Sequence, residues 1–579
     1  MRPSDPINPI AMNQNLDRRR SLLPCAFLLL PVFLHAQVLH VDDGNLSATQ
    51  NGTTQYPYRS VQAAIMNAAL NDTIKVAAGT YGPTDNLGKS LVVWGGYTGA
   101  SSTDYDAGLG GDFLAPTSDA ALTVISGGPD SIGVVLTRFD FDPFSLVISN
   151  LTVSNSMKGI VCDALISWPP VENVTISDCI VENNGQIGET SLGAGVLVHG
   201  NGHQLLNNVI RNNHGGRGAG ISGNSGTGDS LLVQGNLIEN NTGYDDHCAG
   251  VYLGGHAEIR NNIIAGNQLQ NSYGWGGGVL ILGTAHMSGN VIRNNYCPSY
   301  GGAVFVDEGG ILYMDHDLIY NNSTSLEGAA VAADYGGPGS SYVYLTNCTI
   351  ANNHATGGLG GNAVFVDVSS FATAINCIFY GNGDDFHVTG GSSLTVTYTL
   401  SEEPVAGQGN FQGDPLFADT ANGDFHLRST IGRYDPQSQS WVTDGMHSPA
   451  IDAGDPASAY VNEPSPHGSR INLGHDGNTA YASLSNATGI APALEDDPFI
   501  LTYPNPAQSE LTITLPENGG DQSDLRILNE LGMEVLHSRM GRTIVLSEIA
   551  LLADGAYVAR ITTASGTIHW KKFLVSKGE

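Results

Sequence analysis

The sequence predicts an all-β protein, a long solenoid of stacked parallel strands followed by a small C-terminal β-sandwich. The main observation is a pattern that occurs eight times between Cys179 and Asn382. It consists of a small polar residue, an aliphatic or aromatic residue two places later, and an asparagine five places later. Subtraction places successive repeats 29, 28, 26, 28, 27, 31 and 29 residues apart. Such a period is typical of solenoids, in which each repeat buries its apolar face against its neighbours.

Each repeat fills the same positions with the same kinds of residue. The small polar position holds Cys179, Asn208, Asn236, Asn262, Asn290, Asp317, Cys348 and Cys377. The apolar position holds Val181, Ile210, Ile238, Ile264, Ile292, Ile319, Ile350 and Phe379. The final position holds Asn184, Asn213, Asn241, Asn267, Asn295, Asn322, Asn353 and Asn382. A further apolar residue comes three places before each small polar one.

Each coil is expected to contain about three short strands. The apolar stretches are short and rich in β-branched residues, and glycine and asparagine separate them, which favours strands over helices. After each final asparagine come a loop of varying length and a glycine-rich strand, such as GGAVFV from Gly301. The asparagines are expected to stack at turns and to bond to one another through their amides. Asp317 interrupts one of these ladders.

These repeats resemble the right-handed parallel β-helix family that includes pectate-lyase-like proteins. The resemblance extends over about residues 38–480. The segment Tyr56–Gly82 is similar to the entry module of the family, in which a short amphipathic helix at Ser60–Ala69 would cap the first coil. The resemblance implies a cap and first coils over residues 37–145, a β-helix core over 146–400 and a closing segment over 401–483.

Residues 1–36 have the features of a secretory signal peptide. Three arginines at 18–20 precede an apolar run at 22–34, and the small residue Ala36 follows. We therefore expect the mature chain to be exported.

The last part of the chain has a different character. Residues 499–579 contain alternating strand patterns that predict the small β-sandwich, and residues 484–498 would be the linker before it. The sequences YPNPA, NELGMEV and GAYVARI, with Lys571 and Lys572, resemble the C-terminal sorting domain of the type IX secretion system of Bacteroidetes. The resemblance implies that residues 499–579 interact with that secretion machinery. It also implies an extracellular or outer-membrane-surface location.

The composition restricts the possible partners. The formal net charge is −32 at pH 7, which argues against nucleic acid as a partner. It also argues weakly against a strongly anionic polysaccharide unless cations mediate the contact. We expect the protein to be a monomer. We also expect no cofactor, with bound calcium as the alternative.

One outer face of the solenoid is predicted to bind sugar. In the glycine-rich strand Val251 and Leu253 should point inward, so Tyr252 should point outward on one row with Leu197, Ser222, Leu280, Phe305, Ala332 and Phe365. The rings that the loops and strands would gather on this face are Tyr244, Tyr252, Tyr273, Trp275, Tyr296, Tyr300 and Phe305. Aromatic faces stack on the apolar faces of sugars, and exposed rings mark binding surfaces. The alternative is that these loop residues pack on one another and only cover the sheet.

Acidic residues flank this band. Asp307, Asp334 and Asp367 each follow a glycine-rich strand on successive coils, so they either remain solvated or bind a hard cation such as calcium. The candidates for catalysis are Asp246, His247, Arg217 and Asp307. The resemblance implies a lysine or arginine base for a lyase, but the sequence has no lysine between Lys158 and Lys571.

Three hypotheses for the function follow. The first is a surface-attached β-helix protein that binds polysaccharide on its aromatic face. The second is a secreted polysaccharide lyase or glycoside hydrolase. The third is an adhesin or a structural surface solenoid, because one fold can host many functions.

Overall fold

The computed structural model confirms the parallel β-helix and the C-terminal β domain. It describes residues 36–139, 142–162, 169–226, 230–334, 339–357, 360–485, 500–515, 523–529, 534–563 and 568–577. Residues 1–35 of the predicted signal peptide (1–36) and nearly all of the predicted linker (484–498) lie outside the described residues.

The first face of the β-helix is a parallel sheet of thirteen strands, with one strand from each coil. In chain order these strands are Val38–Val41, Thr73–Ala77, Leu91–Tyr97, Leu146–Ser149, Val174–Ser177, Gln204–Leu206, Leu231–Gln234, His256–Arg260, Thr284–Ser288, Ile311–Asp315, Tyr342–Thr346, Phe371–Ile375 and Ser393–Thr397.

The second face follows each small polar residue and carries the apolar position of the repeat. Its strands are Ile180–Glu182, Val209–Arg211, Leu237–Glu239, Ile263–Ala265, Val291–Arg293, Leu318–Tyr320, Thr349–Ala351, Ile378–Tyr380, Leu400–Ser401 and Phe411–Gln412. The long strands Thr123–Val135 and Thr152–Cys162 join this face to the next one in the early coils.

The third face consists of the glycine-rich strands. They are Val196–His199, Ile221–Asn224, Val251–Gly254, Val279–Ile281, Val304–Val306, Val331–Ala333, Val364–Val366 and Phe386–Val388. A fourth strand of two residues, which the sequence did not predict, precedes the variable loop of six coils: His214–Gly215, Thr242–Gly243, Gln268–Leu269, Tyr296–Cys297, Ser323–Thr324 and His354–Ala355.

Every repeat position identified in the sequence lies in the interior. The eight residues at the apolar position are all completely buried, and so are most of the ladder residues. Because strands of successive coils pair in parallel register, Ile210 lies over Ile238 and Ile238 over Ile264. One continuous apolar core therefore runs along the solenoid axis.

The asparagines form two hydrogen-bonded ladders. In the ladder from Asn184 to Asn382, each Nδ2 donates to the Oδ1 of the next rung at 2.9–3.1 Å. Each Nδ2 also donates to a backbone carbonyl of the preceding coil, as Asn267 does to Ile238 at 3.0 Å. This ladder ends on the carboxylate of Asp385, which accepts from Asn382 at 2.9 Å.

The residue before a ladder asparagine often explains why asparagines occur in pairs. Asn212 and Asn240 have φ values of 55°, in the left-handed region that asparagine tolerates better than most residues. The first asparagine of each pair therefore makes the turn, and the second one bonds along the stack.

Asp317 occupies a rung of the other ladder. Its Oδ1 accepts from the backbone and side-chain nitrogens of Asn290 at 2.7 and 2.8 Å. Its Oδ2 is buried and has no partner among the described residues. In the preceding rung, the equivalent atom is Asn290 Nδ2, which donates to Ile259 O at 2.9 Å. Burial raises the pKa of Asp317 to about 7, because the two hydrogen bonds from Asn290 offset only part of the cost of burying a charge.

Segments outside the repeats pack against the β-helix in its first coils and along its last ones. The predicted cap helix occurs at Val61–Asn67, where the Ser60 hydroxyl accepts from Ala63 N and caps the first turn. A second helix spans Ser102–Asp106, and 3₁₀ turns lie at Ala120–Leu122 and Thr420–Asn422. At the other end, Phe417, Phe425 and other residues of the closing segment pack against the second face.

The closing segment contains two hairpins, and the C-terminal domain is the expected sandwich. The hairpins are Phe417–Asp419 with Asp424–Leu427 and Arg433–Asp435 with Ser440–Val442. The C-terminal domain has one antiparallel sheet of Leu501–Tyr503, Leu511–Thr514 and Thr543–Leu546, and another of Glu534–Met540, Ser523–Leu528, Gly555–Thr562 and Ile568–Val575. It has its own apolar core and a 3₁₀ turn at Glu548–Leu551. Among the described residues, no helix is both long and apolar enough to cross a membrane.

Candidate functional site

The outer row of the glycine-rich face has the register expected from the sequence. Pairing across successive coils aligns Leu197, Ser222, Tyr252, Leu280, Phe305, Ala332 and Phe365. The flanking residues Val251 and Leu253 lie in the central core, on the opposite side of the strand. The outer row forms a separate apolar cluster that the variable loops cover.

The rings on this face form a packed layer. Trp275 stacks on Phe305 with ring centroids 6.1 Å apart, and Tyr300 stacks on Phe365 at 5.5 Å. Phe305 is only 1% exposed. Its placement as a ring that contacts sugar is therefore corrected: Phe305 supports Trp275 from beneath. The expected exposed row is largely a small core between the sheet and its loops.

The other predicted rings differ in how accessible they are. Tyr273 is 81% exposed, whereas Tyr244, Tyr252, Trp275, Tyr296 and Tyr300 are half-buried. Two of these rings have partners outside the cluster, since Tyr244 lies against His214 and the Tyr296 hydroxyl contacts Ser325 Oγ at 3.1 Å. Accessible aromatic surface on this face therefore comes mainly from Tyr273 and in part from the five half-buried rings.

A charged group lies beside these rings. Arg217 Nε donates to Asp245 Oδ2 at 3.0 Å, and Arg217 Nη2 is 3.8 Å from Asp246 Oδ1. His247 Nδ1 contacts Asp246, and the His247 ring meets the rings of Tyr252 and Trp275 edge to face at 6.0 and 5.6 Å. The side chains of Arg217, Asp245 and Asp246 remain 25–41% exposed. The two loops that carry Arg217 and Asp245–Asp246 thus hold a guanidinium and two carboxylates in fixed positions next to aromatic rings.

The electrostatics of this group favour permanently charged side chains. Burial opposes the charge on Asp246, but contacts with Asp245, His247 and Arg217 outweigh it and lower the pKa of the carboxyl. Burial likewise opposes the charge on Arg217, and the two aspartates outweigh it and raise the pKa of the guanidinium. Burial raises the pKa of the Tyr252 phenol, an effect that Arg217 opposes.

These pKa directions argue against Asp246 as a general acid and Arg217 as a base, and they leave Asp246 in the ionised state that a nucleophile needs. A general acid in glycoside hydrolysis needs a carboxyl whose pKa is raised, whereas that of Asp246 is lowered. A base must give up its proton, whereas Arg217 is paired with two carboxylates that hold its proton in place. Asp307 is buried, and its Oδ1 accepts from the backbone of Glu308 at 2.6 Å.

The row of acidic residues considered for calcium does not gather. Asp307 and Asp367 each accept a hydrogen bond from the next residue, Glu308 or Val368, which has a positive φ. Three His, Cys, Asp or Glu side chains could hold a metal ion where their ligand atoms all lie within 4.8 Å of one another. In the part of the chain that the structure describes, Asp245, Asp246 and His247 form such a set. Among the described residues, the carboxylates of Asp307, Asp334 and Asp367 do not form such a set, and a calcium site there stays a prediction. Arg217 already neutralises part of the charge of the gathered set.

A second polar group on the same face escaped the sequence analysis. Glu327 is 3% exposed, and burial raises its pKa, with Asp367 acting in the same direction and His387 against it. Burial also raises the pKa of Tyr300, as do Glu327, Asp334 and Asp367. Glu327 belongs to a variable loop and does not occupy a repeat position, so the periodicity of the sequence does not identify it.

The comparisons with known proteins agree with this architecture. Residues 227–399 match the family model described as the right-handed β-helix region. Residues 501–576 match the model of the secretion system C-terminal sorting domain. The chain is a type IX secreted right-handed β-helix protein. It is extracellular or attached to the cell surface, and its sorting domain interacts with the type IX secretion machinery.

Similarity to other individual proteins is distant. No curated protein matches the chain. The crystal structure of pectate lyase Pel9A is similar at a TM-score of 0.39 and 14% identity, covering 76% of this chain and 96% of the lyase. The complex of XylC with xylose is similar at a TM-score of 0.30 and 10% identity, covering 92% of this chain and 100% of XylC.

Proposed function

We propose that this secreted β-helix protein binds polysaccharide on the loop-covered face, at Arg217, Asp245, Asp246 and Trp275, with Tyr273 at the edge. The observation that supports the proposal is the charged group held by its own ion pairs beside half-buried rings. Sugar hydroxyls both donate and accept hydrogen bonds, so carboxylates and a guanidinium complement them. Aromatic rings complement the apolar faces of sugars.

Pre-organisation favours binding at this place. The Arg217–Asp245 pair fixes side chains that would otherwise lose rotamer freedom when a ligand orders them. The Trp275 ring is held in the same way by its stacking on Phe305. A ligand would therefore meet a surface whose polar and aromatic groups already have defined positions.

Binding measurements on a panel of neutral and acidic polysaccharides test the proposal, with and without a calcium chelator. Arg217→Met and Tyr273→Ala should each weaken binding about tenfold, since a lost charged hydrogen bond or ring contact costs on the order of 1.4 kcal/mol. The matched control is Tyr313→Ala, because Tyr313 is an exposed tyrosine on the first sheet (38% exposed). It should bind like the unaltered protein.

Other outcomes would replace the proposal. Unchanged affinity in both variants, or no binding to any polysaccharide, would contradict it. New unsaturated or reducing ends in the incubated polymer would identify a lyase or a hydrolase instead. Attachment to cells without selectivity for any glycan would identify an adhesin.

A further inference from the structure

A second group of aromatic rings lies far along the chain, in the closing segment. Tyr434 and Trp441 are directly opposite each other in the hairpin of Arg433–Asp435 and Ser440–Val442, with ring centroids 6.1 Å apart. The ring of Tyr481, from a later turn, lies 4.7 Å from that of Tyr434. We call Tyr434, Trp441 and Tyr481 the hairpin patch. Trp441 is 43% exposed and Tyr481 is 51% exposed.

The base of the hairpin patch is rigid and polar. Arg433 Nη1 donates to Asp424 at 3.2 Å and its Nε to Asp444 at 3.1 Å. His426 Nδ1 bonds to Asp424 at 2.7 Å, and the His426 ring lies 6.1 Å from that of Tyr434. These side chains are 11–15% exposed. Buried ion pairs fix the hairpin that presents the rings, so a ligand would order little on binding.

The size of the patch restricts the occupant. An aromatic side chain has roughly 150–250 Å² of surface, so the exposed fractions of Trp441 and Tyr481 amount to about 200 Å². A stable protein interface buries about 800 Å² on each partner. The two rings alone would supply only about a quarter of such an interface, whereas their exposed area matches one or two sugar rings.

The charge around the patch restricts the occupant further. Arg433 neutralises Asp424 and Asp444, whereas Asp435 is half-buried in the hairpin itself and accepts from Ser438 N at 3.2 Å. Asp476 adds a carboxylate 3.6 Å from His426. With a formal charge of −32 on the whole chain, an anionic sugar would be repelled, and a neutral one would find hydrogen-bond acceptors next to aromatic faces.

We propose that the hairpin patch is a second glycan-binding site, selective for uncharged sugar residues. It deepens the proposed function, on which it rests, by adding a separate contact and a class of ligand. A polymer that reached both sites at once would bind more tightly than to either site alone.

Calorimetric titration of the full mature chain with short oligosaccharides of neutral glucans and mannans tests this site. Trp441→Ala and Tyr481→Ala should each weaken binding about tenfold, and Trp441→Phe, which keeps an aromatic ring, should retain most of the affinity. The matched control is Trp94→Ala, because Trp94 is equally exposed (39%) and also pairs with a tyrosine, Tyr97, at 6.3 Å.

The outcomes separate this site from the one at Arg217. Arg217→Met and Tyr273→Ala are titrated in parallel. If Arg217→Met and Tyr273→Ala lose affinity while Trp441→Ala binds like the unaltered chain, the hairpin patch alone is overturned. If Trp441→Ala loses affinity while Arg217→Met and Tyr273→Ala bind like the unaltered chain, the Arg217 site alone is overturned. Tighter binding of oligogalacturonate than of neutral sugars through Trp441, or a change in oligomeric state in Trp441→Ala, also overturns the proposal. If the unaltered chain binds none of the oligosaccharides, both proposals are wrong.

Discussion

The interior of the coils and the loop layer over the glycine-rich face are built on different principles. In the interior, every coil repeats the same side chain at the same position, so Asn241, Asn267 and Asn295 make the same bonds. In the loop layer, aligned positions on successive coils hold different side chains, His247, Trp275 and Tyr300. Trp275 and Tyr300 also stack on different phenylalanines, Phe305 and Phe365. Periodic parts of the chain therefore carry stability, and irregular parts are available for recognition.

The largest expected effect comes from breaking a ladder. Asn267→Ala removes the bonds from its Nδ2 to Asn295 and Ile238, and it removes the acceptor of the Asn241 backbone nitrogen and of one of the two Asn241 Nδ2 bonds. Because buried unpaired polar groups cost about 1–3 kcal/mol each, we expect the free energy of unfolding to fall by about 5 kcal/mol. Urea unfolding measures this. Asn51→Ala, at an exposed asparagine that caps a turn, should cost under about 1 kcal/mol, and equal losses would contradict the role of the ladder.

A smaller effect is expected from the core of the loop layer. Phe305→Ala removes the ring beneath Trp275 and should cost about 3–4 kcal/mol, as for other buried phenylalanines. Tyr273→Ala, in the same layer but 81% exposed, should change stability by under about 0.5 kcal/mol. Thermal melting compares the two. A Phe305→Ala variant as stable as Tyr273→Ala would mean that the loops do not form a core of their own.

The smallest expected effect depends on pH. The folded-state pKa of Asp317 is about 7, above the value of about 3.9 in an unfolded chain. At pH values between these two pKa values, the Asp317 carboxyl is protonated in the folded state and ionised in the unfolded state. The free energy of unfolding therefore falls as pH rises through this range and is constant above it. Asp317→Asn restores the amide of a regular rung and should raise stability by about 2–3 kcal/mol at pH 8 and by little at pH 4. Urea unfolding of both proteins at the two pH values checks this, and a gain that is equal at both would contradict it.

The sequence predicted the interior and the register because both depend on periodicity. The eight apolar positions, the ladder asparagines and the outward direction of Tyr252 all followed from counting residues. The sorting domain could be identified because its motifs are local and specific.

The remaining features depend on how loops fold back, which periodicity does not determine. The burial of Phe305 follows from the position of Trp275 above it. The pairing of Arg217 with Asp245 joins two loops on successive coils whose lengths differ. Tyr434, Trp441 and Tyr481 lie outside the repeats, and nothing in their spacing indicates that the three rings meet.

The end of the long asparagine ladder has a consequence for assembly. Strands stacked in parallel register are also the geometry of fibres that grow by adding identical layers to an open end. Here the ladder ends inside the molecule, because Asp385 is completely buried and the strands Leu400–Ser401 and Phe411–Gln412 extend the second face beyond it. The amide of Asn382 bonds to that buried carboxyl, so an incoming copy would not meet an open row of amides on which this ladder could continue.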